Sequence, residues 1–467
     1  MDSNEKPPDL NMLLARLRAA HARKVPDYAQ RVGDLKRLRA AFARHLQDFA
    51  AAMSADFGHR SRHESLLTDG MTVLDAIDHL LAHLRAWMRP KRAAADGLFF
   101  PARTEIRYQP LGVVGIIAPW NYPVNLALIP LATAIAAGNH VMLKPSEHTP
   151  RTAELLRDLI AEVFPPDRAV VVLGEAEVAA QFAALPLDHL FFTGSTQVGR
   201  KVMAAAAPNL TPVTLELGGK SPAIVAPDYP LATAVDRIAA GKFLNAGQTC
   251  IAPDYVLLPK AMIAPFVEEM KKYVSRRYPD LATNPDYTSI VNPAQYTRLK
   301  SYLDQAHAAG AQIVELADGD AGKRILPPTV VLDAREDLAL MQDEIFGPIL
   351  PLVAVDSVDA AIDYVNARPR PLALYHFDHD KKRTQAVLDR TIAGGVTVND
   401  TIMHIAQSNL PFGGVGPSGM GHYHGHQGFL TFSKQKPVLY QARWSSLKLM
   451  RPPYRRLADT LLKFLTR

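Results

Sequence analysis

Two kinds of group in this chain could do chemistry: a backbone turn suited to anions and a few polar side chains placed at the ends of apolar runs. The segment HLFFTGSTQVGRKVMAAAA, from His189, reads as a strand, a glycine turn and a helix. Gly194 lets the backbone turn sharply, Ser195 can cap the helix, and Gly199 leaves room for close packing or a close ligand. Free amides at a helix N-terminus attract anions, and a pyrophosphate suits them. The Gly-x4-Gly spacing departs from the usual dinucleotide fingerprint, so a bare turn is the simpler reading of this motif alone. Lys144 and Glu147, in KPSE, close an earlier strand and could hydrogen-bond ribose hydroxyls; a solvated turn is the plain alternative. Cys250 is the only cysteine, which excludes an intramolecular disulfide. A lone cysteine is ordinarily a small hydrophobe, so its surroundings must decide. Glu216 ends an apolar strand in VTLELGGKSP, and Asn121 follows another strand in PWNYP. Singly, these are a strand-end charge and a turn former. Jointly, they are three chain-distant groups at strand ends or in adjoining loops.

The elements that would position them alternate. From residue 113, strands are expected at 113–118, 140–144, 169–173, 189–192 and 213–217, with helices at 127–137, 151–164, 176–184 and 197–207. Strand–helix alternation at this spacing predicts right-handed βαβ units and a doubly wound parallel sheet. A second α/β region runs from about 222 to 398, with strands expected at 254–258, 349–355, 372–376 and 395–399. The first hundred residues read as helices, from stripes such as Leu10, Leu13, Leu14 and Leu17, then Val32 to Phe49, then Leu74 to Trp87. A basic linker, RPKRAAADGLFFP, precedes a half-exposed strand in TEIRYQ. The glycine-rich stretch 413–428 is expected to end regular structure before a basic tail.

The chain has 467 residues, 48% hydrophobic and 21% charged, which fits an ordinary globular protein of two to four domains. Its net charge of +6 is uneven. Residues 433–467 hold nine Lys or Arg against Asp459 alone, so the tail carries +8 and the remainder −2. Nucleic-acid binding therefore has little support. The opening MDSNEKPPDL lacks the order of a signal peptide. The uncharged stretch 108–143 imitates a membrane span but is broken by Pro110, Pro119, Pro123 and Pro130. A cytoplasmic protein is expected. His422, His424 and His426 alternate in GHYHGH, but the surrounding glycines favour a loop over a zinc site, and no metal is expected. In the tail, Leu457, Leu461, Leu462 and Leu465 share one face of a helix. Docking on the body or on a second subunit is the favoured reading, and contact with a membrane surface is the alternative.

Together FTGSTQVG, ELGGKSP, GQTC and PWNYP, with DEIFGP (343–348) and LPFGGVGPSGMGHYHG (410–425), resemble the aldehyde dehydrogenase superfamily. QTCIAPDYVL, GMGHYHG and TFSKQKPV are most similar to its class 3 branch, especially the bacterial coniferyl aldehyde dehydrogenases, and the resemblance spans roughly residues 25–445. It implies a Rossmann-like NAD-binding domain (1–102 and 112–216), an α/β catalytic domain (217–398), a small β oligomerisation arm (103–111 and 399–444) and a separate tail (445–467).

The resemblance also implies roles. Cys250 matches the nucleophile, whose thiolate forms a thiohemiacetal with the aldehyde; nearby amide dipoles can lower its pKa. Asn121 matches the oxyanion-hole asparagine, acting with the Cys250 N–H. After hydride leaves for the nicotinamide, Glu216 matches the base that activates water to hydrolyse the thioester, and burial could raise its pKa. Gly194, Ser195, Thr196, Gln197, Val198 and Gly199 would line the pyrophosphate, with Leu217 close by. Lys144 and Glu147 would meet the adenosine ribose, and Glu344 and Phe346 the nicotinamide ribose and ring. A carboxylate at 147 would repel a 2′-phosphate, which favours NAD over NADP. The implied reaction is oxidation of an aldehyde to an acid, coniferyl aldehyde to ferulate being the first expectation. Medium- or long-chain aldehydes are the alternative, and a non-catalytic binding or peripheral membrane protein on the same scaffold is the rival. The branch further implies a homodimer.

Overall fold

The computed structural model describes residues 9–454 and 456–466; the first eight residues, Arg455 and Arg467, two of the tail's basic residues, lie outside them. The N-terminal helices form where expected. Asp9 caps Leu10–Arg23 by accepting from the Asn11 and Met12 amides, and Asp27 caps Tyr28–Arg44 through Gln30. The stripe from Val32 to Phe49 is shared between Tyr28–Arg44 and Leu46–Phe57, which meet at His45. Thr72–Trp87 follows, with Val73, Ile77, Leu80 and Leu84 buried.

Two sheets carry the site. The first contains Val113–Ile117, His140–Lys144, Ala169–Val171, His189–Thr193 and Val213–Glu216, all parallel, with Gly419–Met420 added antiparallel at the Val213–Glu216 edge. Its strands are buried on both faces and read as continuous apolar runs for that reason. The second runs, in spatial order, Gln312–Glu315, Thr329–Leu332, Ile349–Ala354, Tyr255–Leu258, Pro222–Val225, Ala373–Phe377 and Gly395–Val398. Only Gln312–Glu315 is antiparallel to its neighbour. The uncharged stretch resolves into strand Val113–Ile117, the buried helix Asn125–Ala137 and strand His140–Lys144. No described helix is long and apolar enough to cross a membrane.

Two expectations need correction. The linker is not irregular throughout, because Lys91–Ala93 pairs with Thr104–Ile106. Regular structure does not end in the glycine-rich stretch either. Helix Gly425–Thr431 lies within and beyond it, and Ser433–Tyr440 forms an eight-residue antiparallel ladder with Arg103–Pro110. Local composition misleads here because the stabilising partner is more than 300 residues away in sequence. In the tail helix Arg456–Leu465, Leu461 is half-buried. Ala458 is buried, while Leu457, Leu462 and Leu465 are about half exposed at 53%, 43% and 50%.

Candidate active site

Register brings the first sheet's candidate site residues to one edge. Ile117 pairs with Lys144, and Thr193 pairs with Glu216, so four strands end together. The loop to Asn121, the KPSE turn, the Gly194 turn and the LGGK turn all leave from that edge, where ligands of such sheets bind. The chain then enters the second sheet at Pro222, beside Tyr255, so the loops before Tyr255–Leu258 and Ile349–Ala354 face the same region.

At the glycine turn, Ser195 does cap helix Thr196–Ala206, accepting from the Val198 amide at 3.3 Å. Gly194 has no left-handed backbone. Glycine is required because a Cβ would lie 2.5 Å from the Phe192 ring. At Gly199 the constraint is packing, since a Cβ would sit 2.6 Å from the Leu217 side chain. Ser195, Gln197 and Val198 remain exposed, leaving the helix N-terminus open. Lys144 is buried and donates to the Pro145 carbonyl (2.9 Å) and to Glu147 (3.1 Å). Burial alone would raise the Glu147 carboxylate, but its own backbone N–H and the Lys144 ammonium hold it below the usual range.

The Cys250 loop is built on an unusual backbone. After helix Leu231–Phe243, Asn245, Ala246 and Gly247 have φ of 51°, 52° and 74°. Consecutive left-handed residues cost roughly 1–2 kcal/mol each where a Cβ is present, so side chains must hold them. Glu64 accepts from the Asn245 amide at 3.0 Å. Buried Gln248 donates to the carbonyls of Asn245 (3.0 Å) and Ser289 (3.1 Å) and accepts from the Val291 amide (2.9 Å). Gly247 allows contact between backbones, for a Cβ there would lie 2.6 Å from the Gly347 carbonyl carbon.

Asn121 meets this loop directly. Its Nδ2 donates to the Gln248 carbonyl at 3.2 Å, and the neighbouring Tyr122 hydroxyl is 2.6 Å from Thr249 Oγ1. Cys250 is partly exposed. Burial first, then the carboxylates of Glu344 and Glu216, push its thiol up to about 12, which outweighs the lowering by the Cys250 and Ile251 amides. The amides thus act in the expected direction and are outweighed. Glu216 is buried, neither of its oxygens has a hydrogen-bond partner, and desolvation raises its carboxyl well above the usual value. Burial, then Asp254, push Glu344 up to about 8. The Glu344 loop is fastened by Asp254, which accepts from the Ile345 amide (3.0 Å) and from Lys220, and by Arg298 donating to the Ile345 carbonyl (2.8 Å). Phe346, at φ 51°, sets its ring edge-on to Trp120 at 5.3 Å.

Several residues of this site escaped the reading of the sequence: Glu64, Asn245, Gln248, Lys220, Asp254 and Tyr423. Gln248, Lys220, Asp254 and Tyr423 stood inside the quoted motifs GQTC, ELGGKSP, QTCIAPDYVL and GMGHYHG. Glu64 lies in a different part of the chain, outside any of them. Tyr423 is buried and is raised first by desolvation, then by the charges of Glu216 and Cys250. The three alternating histidines diverge. His424 stacks on Phe412 at 5.5 Å, His426 faces Trp87 at 5.4 Å, and His422 approaches Gln427. Among the described residues, no three His, Cys, Asp or Glu gather as metal ligands.

A nucleotide fits this arrangement: an open helix N-terminus, a half-buried Lys144–Glu147 pair at the same sheet edge, and a buried Glu344 Oε1 without a partner. Known proteins agree. The family described as "Aldehyde dehydrogenase family" matches residues 12–438. A probable coniferyl aldehyde dehydrogenase of Pseudomonas aeruginosa is 52% identical over 95% of this chain and 94% of its own length. Aldehyde dehydrogenase family 3 member A2 of Macaca fascicularis is 43% identical over 86% and 82%. The substrate-bound structure of Staphylococcus aureus AldH superimposes with a TM-score of 0.94 at 38% identity, covering 98% of this chain and all of that one. The chain belongs to the aldehyde dehydrogenase family. It is an NAD(P)-dependent oxidoreductase acting on aldehydes.

Proposed function

We propose that this enzyme oxidises coniferyl aldehyde to ferulate, with NAD as the preferred cofactor. The observation that carries the substrate reading is the 52% identity, over nearly the whole chain, to a probable coniferyl aldehyde dehydrogenase. An aromatic ring at the nucleophile's loop supports it: the Tyr122 hydroxyl is bonded to Thr249, the residue before Cys250.

In this reading Cys250 Sγ attacks the aldehyde carbon. The thiol proton leaves to solvent as the bond forms, Cys250 being partly exposed. Asn121 Nδ2 and the Cys250 N–H receive the developing alkoxide, each such donor supplying about 3–4 kcal/mol of barrier stabilisation. NAD(P), when bound, supplies the two-electron acceptor that converts the thiohemiacetal to a thioester. Gly194 to Gly199 and Leu217 would hold its pyrophosphate, Lys144 and Glu147 the adenosine ribose, and Glu344 and Phe346 the nicotinamide side. Glu216, in its ionised form and with two unpartnered oxygens, then takes a proton from the water that hydrolyses the thioester. The ionised Glu147 favours NAD by repelling a 2′-phosphate.

In domain terms, residues 1–102 with 112–216 bind the cofactor, 217–398 carry the nucleophile, and 103–111 with 399–444 form the arm. We read the molecule as a cytoplasmic homodimer in which the exposed leucine face of the tail helix meets the second subunit. Initial NADH formation with coniferaldehyde, benzaldehyde, hexanal and a long-chain aldehyde tests the substrate reading. Coniferaldehyde should have the highest kcat/KM, and a higher value for hexanal or the long-chain aldehyde would overturn the choice.

A further inference from the structure

Arg60 lies in GHRSR, 61 residues before Asn121, and its side chain is wholly buried. Burying a guanidinium is costly, and a buried ion pair can often be replaced by apolar side chains without loss of stability. Its retention here is explained by what it holds. One Arg60 terminal nitrogen donates to the Asn121 carbonyl at 2.9 Å, and the other donates to Asp69 Oδ2 at 2.8 Å. The planar group also lies 5.0 Å from the Phe57 ring centre and 5.2 Å from that of Tyr122. Asp69 turns its remaining oxygen to the amides of Val124 (3.1 Å) and Asn125 (2.9 Å). The ion pair therefore grips the loop on both sides of the segment 121–125. The same Asn121 carbonyl accepts from Asn245 Nδ2 at 3.1 Å, within the nucleophile's own loop. Two donors on one carbonyl fix the Asn121 peptide plane and so the direction in which its side chain leaves the backbone. Arg60 Nε stays buried without a partner, an unfavourable feature that stability alone does not explain.

We propose that Arg60 is a positioning residue for the reaction, setting the Asn121 amide against the Cys250 loop by holding the Asn121 backbone. This rests on the reading of Asn121 as the oxyanion donor. The pair with Asp69 anchors Arg60, and Asn245 joins its pull on Asn121 to the strained turn before Cys250.

The test is a double-mutant cycle of Arg60→Met and Asn121→Ala, with Arg60→Lys as the conservative variant, scored by kcat, aldehyde KM and thermal midpoint. Arg60→Met should lower kcat about 10- to 100-fold, the cost of a displaced catalytic group. KM should move by less than about threefold, since the interaction acts in the transition state. Arg60→Lys should recover part of the loss. In the Asn121→Ala background, Arg60→Met should lower kcat no further. A multiplicative loss in the double mutant, or an unchanged kcat in Arg60→Met, overturns the proposal. Wild-type kcat in Asn121→Ala would instead sink the oxyanion reading itself. If Arg60→Met fails to fold, Arg60→Met/Asp69→Asn removes both charges and keeps the acceptor for the Val124 and Asn125 amides. The same cycle is then run on that pair.

Discussion

Substituting Gly247 with alanine tests whether the Cys250 loop is held by close backbone packing. Two costs are expected. Gly247 has φ 74°, where a Cβ costs roughly 1–2 kcal/mol. The new methyl would also lie 2.6 Å from the Gly347 carbonyl carbon and 3.0 Å from the Lys242 carbonyl oxygen. Backbone atoms cannot rotate away, so the loops at 245–250 and 344–348 must separate by most of an ångström, at about 1–3 kcal/mol for overpacking. The total, about 2–5 kcal/mol, should lower Tm by several degrees. Because Cys250 and Phe346 ride on these loops, kcat should fall about 100-fold. Gly310→Ala is the control: φ is 90° but nothing lies within 4 Å of the added Cβ, and the site is remote. It should lose only the backbone cost, about 1–2 kcal/mol, and keep its activity. Calorimetry and steady-state NADH formation on both variants decide the matter. Wild-type kcat in Gly247→Ala, or equal activity losses in the two, would refute the reasoning.

Other outcomes follow from charge and burial. Glu147→Gln should raise kcat/KM with NADP relative to NAD by about tenfold, about 1.4 kcal/mol of relieved repulsion; an unchanged ratio would count against Glu147 as the discriminator. Burial lowers His189 from 6.5 to about 4. Its contribution to stability is therefore present above pH 6.5 and lost as pH falls through about 4, up to about 3 kcal/mol. His189→Gln should flatten the dependence of the urea midpoint on pH across that window, and a curve parallel to wild type would contradict this. Deleting residues 445–467 should weaken the dimer in sedimentation. Flotation of the intact chain, but not the truncated one, with anionic liposomes would point to a membrane instead.

The site was legible wherever function is written as local backbone chemistry. The strand ends before Asn121, Lys144, Gly194 and Glu216 appear as apolar runs closing on polar residues, and parallel register then brings them together. What stayed hidden depends on contacts distant in sequence. Gly247 answers to Gly347, and Glu64 and Arg60, far away in the chain, are turned by the fold onto residues 245 and 121. Strands Pro222–Val225, Gln312–Glu315 and Thr329–Leu332 were not among those expected; the first opens with proline. The thiol's raised pKa depends on carboxylates brought near Cys250 by two other segments, which no local pattern shows.

The most direct test of the central claim is the mass of the Cys250 peptide from Glu216→Gln, quenched during turnover of coniferaldehyde with NAD. The account predicts a burst of about one NADH per site, then turnover slowed by about 10²–10⁴-fold, with a feruloyl group on Cys250. Unmodified Cys250 with no burst, or full NADH production by Cys250→Ala, would contradict it.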